Sequence, residues 1–113
     1  MAYDEAVASR LRKLLGRRRH ITEQQMFGGI AFLLEGKMFC GVLGSDLVLR
    51  LGEEGVARAL HEPHTRPMDF TGRPMKSMIY LEAKDFESDG DLRDWIERAF
   101  LFAKSLPRKK RLS

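Results

Sequence analysis

The segment of residues 28–51, "GGIAFLLEGKMFCGVLGSDLVLRL", specifies the central part of the fold. It contains three runs rich in apolar residues, and short turn sequences that contain glycine separate them. The runs are residues 30–34, 37–43 and 46–51, and the turns are Glu35-Gly36 and Gly44-Ser45. Turns of this length join neighbouring antiparallel strands. The stretch therefore predicts an antiparallel β-meander, and the alternating leucines of its third run predict one face toward a core.

The same glycines invite comparison with a phosphate-binding loop. In that motif four residues separate the first glycine from a Gly-Lys pair, and Ser or Thr follows the lysine. Here the six residues 30–35 separate Gly29 from Gly36, and Met38 follows Lys37. The intervening residues are mostly apolar and would be buried instead of holding an anion loop open. We therefore interpret these glycines as turn residues.

Helices are predicted on both sides of the meander. Apolar residues recur at spacings of three and four before Gly16 and again after Ser88, the pattern of helices that bury one face. The predicted elements are a helix from Tyr3 to Leu15, an additional strand from Glu23 to Phe27, a short helix from Glu53 to His61, a strand from Ser77 to Glu82 and a helix from Leu92 to Leu106. The expected fold class is α+β, with two layers, an antiparallel meander and helices at both ends, in the order α-β-β-β(β)-α-β-α.

Length and composition fit a single domain. The chain has 113 residues, of which 43% are hydrophobic and 32% charged, values ordinary for a soluble globular protein. We expect one domain over residues 1–107 and a basic, disordered tail over residues 108–113.

No apolar run in the sequence approaches the ~20 residues of a membrane helix, and the pattern of a signal peptide is missing. A single cysteine excludes an intramolecular disulfide. We therefore expect a cytoplasmic protein with no membrane contact.

Few groups in the sequence suit catalysis or metal binding. The three histidines are scattered, and although His61 and His64 have a ligand-like spacing, Pro63 lies between them and no acidic cluster completes a shell. Cys40 has apolar neighbours, so we expect a buried, unreactive thiol. We predict no catalytic residue, no metal site and no cofactor. An enzyme would instead need a pocket near His64 and Asp69 that contains a strongly perturbed titratable group.

The segment from Arg66 to Lys76 is the first candidate for binding a partner. Its prolines limit its flexibility, so we interpret it as an ordered loop leading into the next strand, and such loops commonly bind ligands. The candidate partner-binding residues, in this segment and the neighbouring hairpin, are Lys37, Arg50, Arg66, Asp69, Arg73 and Lys76. The alternative is that Asp69 caps or pairs locally while Phe70 fills the core.

Positive charge is concentrated in two clusters that are candidates for nucleic-acid binding. The formal net charge is +4, and removing residues 108–111 would leave it at zero. The candidate contacts are Arg17, Arg18, Arg19, Arg108, Lys109, Lys110 and Arg111. Such clusters would neutralise phosphates without reading bases. The alternatives are a solvated helix end for the first cluster and a solubilising tail for the second.

Leu101 and Phe102 widen the apolar side of the last helix beyond what one sheet need cover. Surplus apolar surface of this kind marks subunit interfaces. We therefore name these two residues as a candidate homodimer interface, with burial in the core as the alternative.

Four segments in this order resemble the N-terminal domain of the TfoX family, which is named for a regulator of bacterial competence. They are "MFGGIAF" at 26–32, "GKMFCGV" at 36–42, "LVLRLG" at 47–52 and "RPMDFTGRPMKSMIYLE" at 66–82. The resemblance covers nearly the whole chain, roughly Tyr3 to Pro107.

This resemblance implies an α+β domain similar to the two-layer fold of secretion chaperones, members of which often form homodimers. It also implies a non-enzymatic binding or regulatory module with a protein partner, linked to competence or transcriptional regulation, and without catalytic residues. Family proteins that act in competence carry a C-terminal helical domain, and this sequence reaches Ser113 without one. We therefore expect a stand-alone N-terminal domain.

Overall fold

The computed structural model describes residues 3–16, 18–26, 28–62, 65–69 and 74–106. Within these ranges the elements, in chain order, are α1 (Glu5–Leu15), β1 (Ile21–Met26), β2 (Gly29–Leu34), β3 (Lys37–Leu43), β4 (Asp46–Arg50), α2 (Gly52–Ala59), β5 (Thr65–Asp69), β6 (Pro74–Leu81), a short 3-10 helix (Ala83–Phe86) and α3 (Asp89–Ser105). The α+β class is confirmed, as is the meander between helices.

All six of these strands form one antiparallel sheet in the order β1-β2-β3-β4-β6-β5. The first four strands are the predicted meander. In the turn between β2 and β3, Glu35 and Gly36 both have positive φ, 51° and 81°. A two-residue hairpin needs this backbone so that its twist matches that of the strands, and glycine adopts it without strain. The Glu35-Gly36 pair therefore closes the hairpin as the sequence predicts.

The main core lies between one face of the sheet and all three helices. Strand β4 shows the predicted alternation: Leu47 and Leu49 are fully buried in this core, while Val48 belongs to a separate apolar cluster. The strand therefore has two different faces, and only one of them meets the helices.

A bulge places two consecutive residues of β3 in the core. The pairing of β2 with β3 shifts between Phe32 and Leu33, so Phe39 and Cys40 are both fully buried. The ring of Phe39 contacts the ring of Phe100 edge-on, with centroids 5.6 Å apart and planes at 81°. Edge-to-face pairs of this kind stabilise beyond their buried area, so the bulge helps to fix α3 on the sheet.

Helix ends follow the signals in the sequence. Asp4 Oδ1 accepts a hydrogen bond from the Ala6 amide at 2.9 Å and begins α1. Gly16, at φ 51°, ends it by donating its amide to the Arg12 carbonyl at 2.9 Å. The first turn of α3 is capped in the same way by Ser88. Each cap satisfies a backbone group that the helix itself leaves unpaired.

The interpretation of residues 66–76 as a loop is wrong for most of the segment. Residues 65–69 form β5, which pairs with β6, and β6 begins at Pro74 instead of Ser77. The prolines indicated a loop because proline lacks the amide that a sheet ladder needs. Strand β5 lies at the edge of the sheet, where proline is tolerated, and its register shifts next to Pro67. Residues 70–73 lie outside the described ranges.

Candidate binding surface

The sheet face opposite the helices, here called the open face, carries an apolar cluster of its own. Its members all come from strands, and we call them the open-face cluster: Met38, Leu43, Val48, Met78 and Tyr80. Val48 and Met78 are buried, whereas the other three are half-buried. Both faces of the central strands are therefore apolar, although the helices that the structure describes cover only one of them.

Sequence reasoning missed this second apolar face. The signal that indicates it is the run 30–34, which has no polar residue, and β2 is buried at all six positions. An antiparallel strand with one solvated face normally alternates apolar and polar residues. An unbroken apolar run within a hairpin therefore indicates that both faces of the sheet exclude water.

Arg66 lies beside the open-face cluster and joins three strands. Its Nη2 is 2.7 Å from Asp46 Oδ2 and its Nε is 3.6 Å from Glu82 Oε1. Its guanidinium carbon lies 4.9 Å from the centroid of the Tyr80 ring. Stacking on an aromatic ring while binding carboxylates is geometry that arginine, unlike lysine, provides. This candidate partner-binding residue therefore holds the aromatic side chain of the cluster in place.

Three more of the predicted partner-binding residues lie on the same strands. Arg50, at the end of β4, has Nη1 3.5 Å from the Met38 carbonyl oxygen, and its guanidinium carbon is 5.8 Å from the Phe102 ring centroid. Lys76 is exposed on β6, and Asp69 is the last residue of β5. Arg73 lies outside the described residues. The structure thus brings Arg50 and Arg66 to the open-face cluster.

Lys37, another candidate partner-binding residue, has a structural contact with the last helix. Its Nζ donates to the carbonyl oxygens of Ala103 and Leu106, at 3.0 and 3.1 Å. Both carbonyls lie at the C-terminal end of α3, where the helix dipole favours positive charge. The Ala103 carbonyl also accepts a hydrogen bond from the Leu106 amide at 3.2 Å. Lys37 therefore links the first hairpin to the end of the last helix.

The first basic cluster is partly neutralised. Arg18 forms an ion pair with Glu97, and its guanidinium carbon lies 4.5 Å from the Phe100 ring centroid. Arg19 is exposed. Arg17 lies outside the described residues, as does the whole second cluster, residues 108–111. The described part of the first cluster therefore offers one arginine in contact with α3 and one that projects into solvent.

Charge is unevenly divided between the described residues and the rest of the chain. Six of the 20 lysines and arginines lie outside the described ranges, and none of the 16 acidic residues does. The described residues therefore carry a formal charge of −2, against +4 for the whole chain. The six remaining cations therefore account for the positive net charge of the whole chain.

The two candidate dimer residues have different environments. Leu101 is 59% exposed and lies on the side of α3 away from the core. Phe102 is half-buried, with its ring packed against Gly52 at the start of α2. A groove of about 870 Å³ adjoins this contact and contains the ion pair of Glu62 with Arg98. Phe102 therefore contributes to packing within the chain, whereas Leu101 projects into solvent.

Groups with reactive chemistry are few in the part of the chain that the structure describes. Cys40 is fully buried, and desolvation raises the pKa of its thiol far above the ordinary value. The described residues contain no group of three or more His, Cys, Asp or Glu side chains arranged to hold a metal ion. Over the same ranges, no helix combines the length and apolarity needed to cross a bilayer.

Comparison with protein families gives a match over most of the chain. The model of the family described as TfoX N-terminal domain matches residues 13–103, from the end of α1 to the last turns of α3. No curated protein sequence matches the chain. The matched range contains every strand of the sheet, and therefore the whole open face.

Proposed function

The chain belongs to the TfoX N-terminal domain family, and from this premise we propose that it is a competence-related regulatory module, without catalytic activity, that binds a protein partner on its open face. The observation that carries the proposal is the open-face cluster, which lies on the sheet face that none of the described helices covers. Buried Cys40 cannot supply a thiolate nucleophile, which supports a non-catalytic role.

The composition of the open face suits a protein partner. Methionine and tyrosine are enriched where proteins meet, because methionine adapts its shape and tyrosine combines a large apolar ring with a hydroxyl. Met38 and Tyr80 are half-buried, so each has surface left for contact. Arg66, stacked on Tyr80, and Arg50 at the strand end flank the apolar area. An apolar centre with a polar rim is the usual arrangement of a binding surface.

The test compares two apolar-to-acidic substitutions on opposite sides of the molecule. Leu43→Asp changes the open face, and Leu101→Asp changes the outer side of α3. A partner is first identified by cross-linking and affinity capture with the unmodified protein, with nuclease present. Its dissociation constant is then measured for both variants, after circular dichroism has verified that they fold. We expect Leu43→Asp to weaken binding at least tenfold, because an unpaired carboxylate would be desolvated in the interface.

Leu101→Asp should bind the partner as the unmodified protein does. Equal affinity of the folded Leu43→Asp variant would show that the open face is not the binding surface. Lys76→Ala is a further variant to compare with Leu43→Asp. It removes a charge on β6 without inserting a carboxylate, so it separates the effect of a lost charge from that of an added one.

Nucleic-acid binding is a second candidate function, favoured by the division of charge described above. Four of the six cations outside the described residues are consecutive, at 108–111. Each phosphate that a protein neutralises releases counterions, so binding of this kind weakens steeply with salt. We expect the full chain to bind single-stranded DNA at low salt and a chain ending at Leu106 to lose most of that affinity. Fluorescence anisotropy across a salt series measures both. Unchanged affinity after truncation would show that the tail does not contribute to DNA binding.

A further inference from the structure

The two edges of the sheet are protected to different degrees. At the β5 edge, Pro67 removes an amide and the register with β6 shifts beside it. Proline and bulges are standard devices that prevent an edge strand from pairing with another chain. Strand β1, at the other edge, has neither: its six residues, ITEQQM, keep an unbroken register with β2. The β1 edge is therefore a regular strand with one side available for pairing.

The outer side of β1 is accessible. Residues 22–25 are all exposed. Among the residues that the structure describes, β1 pairs with β2 alone. In an antiparallel strand with a single neighbour, about half of the amide and carbonyl groups point away from that neighbour. These outward groups can hydrogen-bond to an added strand.

The one charged residue of β1 does not protect this edge either. Glu23 forms a bidentate ion pair with Arg12 of α1, with Nε–Oε2 and Nη2–Oε1 distances of 2.9 Å. Glu5 accepts a further hydrogen bond from the same guanidinium. A charge on an edge strand prevents pairing when it would be buried unpaired against the added strand. Here the carboxylate is drawn toward the helix side of the sheet and is already neutralised.

We propose that β1 pairs with β1 of a second copy of this chain, antiparallel across a twofold axis, so that the two described six-stranded sheets become one continuous sheet. The register that fits is centred on Gln24. It places Gln24 opposite Gln24 of the second copy, where two amides can exchange hydrogen bonds. It also places Glu23 opposite Gln25, whereas a register centred on Glu23 would oppose two carboxylates, which is unfavourable.

A second copy suits this edge better than an unrelated strand. Both copies present the same unpaired backbone, and a twofold interface is self-complementary by construction. Thr22 and the glutamines provide hydroxyl and amide groups that can act as both donors and acceptors. The exposed side chains of β1 thus require neither an apolar pocket nor an opposite charge on the added strand.

The pairing has a consequence for the open face. The twofold axis that relates two such edge strands is perpendicular to the sheet. The open faces of both copies therefore lie on the same side of the dimer. Two partner-binding surfaces side by side would raise the avidity for a partner that is itself repeated. This consequence rests on the proposed function, whereas the strand pairing itself does not.

Sedimentation equilibrium of the full chain tests the pairing. We expect a monomer–dimer equilibrium in the unmodified protein. Gln24→Lys should raise the dimer dissociation constant at least tenfold, because two ammonium groups would meet at the axis. Ser45→Lys adds the same charge in an exposed turn and should leave the dimer unchanged. A protein that stays monomeric at millimolar concentration, or a dimer equally stable with Gln24→Lys, would overturn the proposal.

A cross-linking variant tests the register without depending on repulsion. Gln24→Cys should oxidise readily to a disulfide-linked dimer, because directly opposed residues of antiparallel strands have the Cα separation that a disulfide needs. The only other thiol, Cys40, is buried. Ser45→Cys is the matched control and should cross-link much more slowly. Equal rates for the two variants would also overturn the proposal. Neither result bears on Leu43→Asp, so the strand pairing and the open-face proposal can fail separately.

Discussion

Gly52 occupies a position that side chains disfavour for two separate reasons. Its φ is +78°, in the left-handed region that favours glycine. In addition, the Phe102 ring lies where a Cβ atom would stand, and the contact would be far closer than van der Waals separation. The sequence contained no sign of the second constraint, because Gly52 and Phe102 are 50 positions apart. The close approach of α3 to the start of α2 therefore depends on this glycine.

Gly52→Ala should lower the free energy of unfolding by about 2–5 kcal/mol, since strain at positive φ costs ~1–2 kcal/mol and overpacking adds ~1–3 kcal/mol. Gly44→Ala is the control: Gly44 also has positive φ, 60°, but no atom lies within 4 Å of the added Cβ. Gly44→Ala should therefore lower the free energy of unfolding only by the strain at positive φ, ~1–2 kcal/mol. Urea denaturation measures both changes. Equal losses would show that Phe102 moves aside without cost.

The buried thiol of Cys40 should make stability depend on pH in alkaline solution. Burial raises the pKa of the folded state above the ~8.5 of an exposed thiol, so above that pH the unfolded chain loses a proton that the folded chain keeps. Stability should therefore fall as pH rises, with a contribution approaching ~1.4 kcal/mol per pH unit. Cys40→Ala is less stable overall but should lack this contribution. If the free energy of unfolding fell with pH at the same slope for both proteins between pH 8 and 10, this prediction would be contradicted.

At the scale of the elements, the C-terminal end of α3 is stabilised by a strand. The first turn of α3 is capped locally by Ser88, as the sequence indicates. Its last carbonyls instead accept hydrogen bonds from Lys37, which comes 66 positions before Ala103. A lysine directly after Glu35-Gly36 has the sequence appearance of a solvated turn residue. Only the packing of α3 on the hairpin reveals it as a helix cap.

Lys37→Met should destabilise the protein by about 1–2 kcal/mol. The substitution keeps the aliphatic stem but removes two charge-assisted hydrogen bonds at a helix terminus. Lys104→Met removes an exposed charge from the same helix turn and should cost less than ~0.5 kcal/mol. Hydrogen exchange localises the effect, because the amides of the last turn of α3 should lose protection first. Uniform loss of protection across the sheet would argue against a capping role.

For the whole molecule, Arg10 connects parts of the chain that are far apart in sequence. From α1, its Nη2 lies 2.7 and 3.1 Å from the carbonyl oxygens of Phe86 and Glu87, and 3.3 Å from Asp89 Oδ1. Those three residues form the junction between the 3-10 helix and α3. The arginine thus joins the first and last helices above the sheet, and its guanidinium carbon lies 5.8 Å from the Phe86 ring centroid.

Arg10→Met should lower the free energy of unfolding by about 1 kcal/mol. The side chain is 31% exposed, so solvent weakens its charged hydrogen bonds, which when well buried would contribute ~1.5–3 kcal/mol. Arg93→Met, at an exposed position on α3, should change stability by less than ~0.5 kcal/mol. Thermal and urea unfolding of both variants provide the comparison. If Arg10→Met were as stable as Arg93→Met, the connection would be dispensable.

The elements with strong local signals could be predicted from the sequence, and those that depend on distant partners could not. Gly16 and Ser88 mark helix ends because their caps involve neighbouring residues only. Strand β5 was missed because its prolines suit a loop equally well, and only its position at the sheet edge makes them compatible with a strand. Of the candidate site, Arg50 and Arg66 were identified, but the apolar cluster beside them was not.

Sequence alone predicts the meander of residues 28–51, the α+β class and the family, because periodicity, turns and motifs are local properties. The tertiary structure decided which face each strand turns toward the helices, that Lys37 caps α3, and that the open face and the β1 edge are left without a described partner. Those features arise where side chains from distant positions meet across a sheet. The spacing of residues along the chain shows that a strand is apolar. Which surface that strand packs against depends on all of its neighbours in the folded protein.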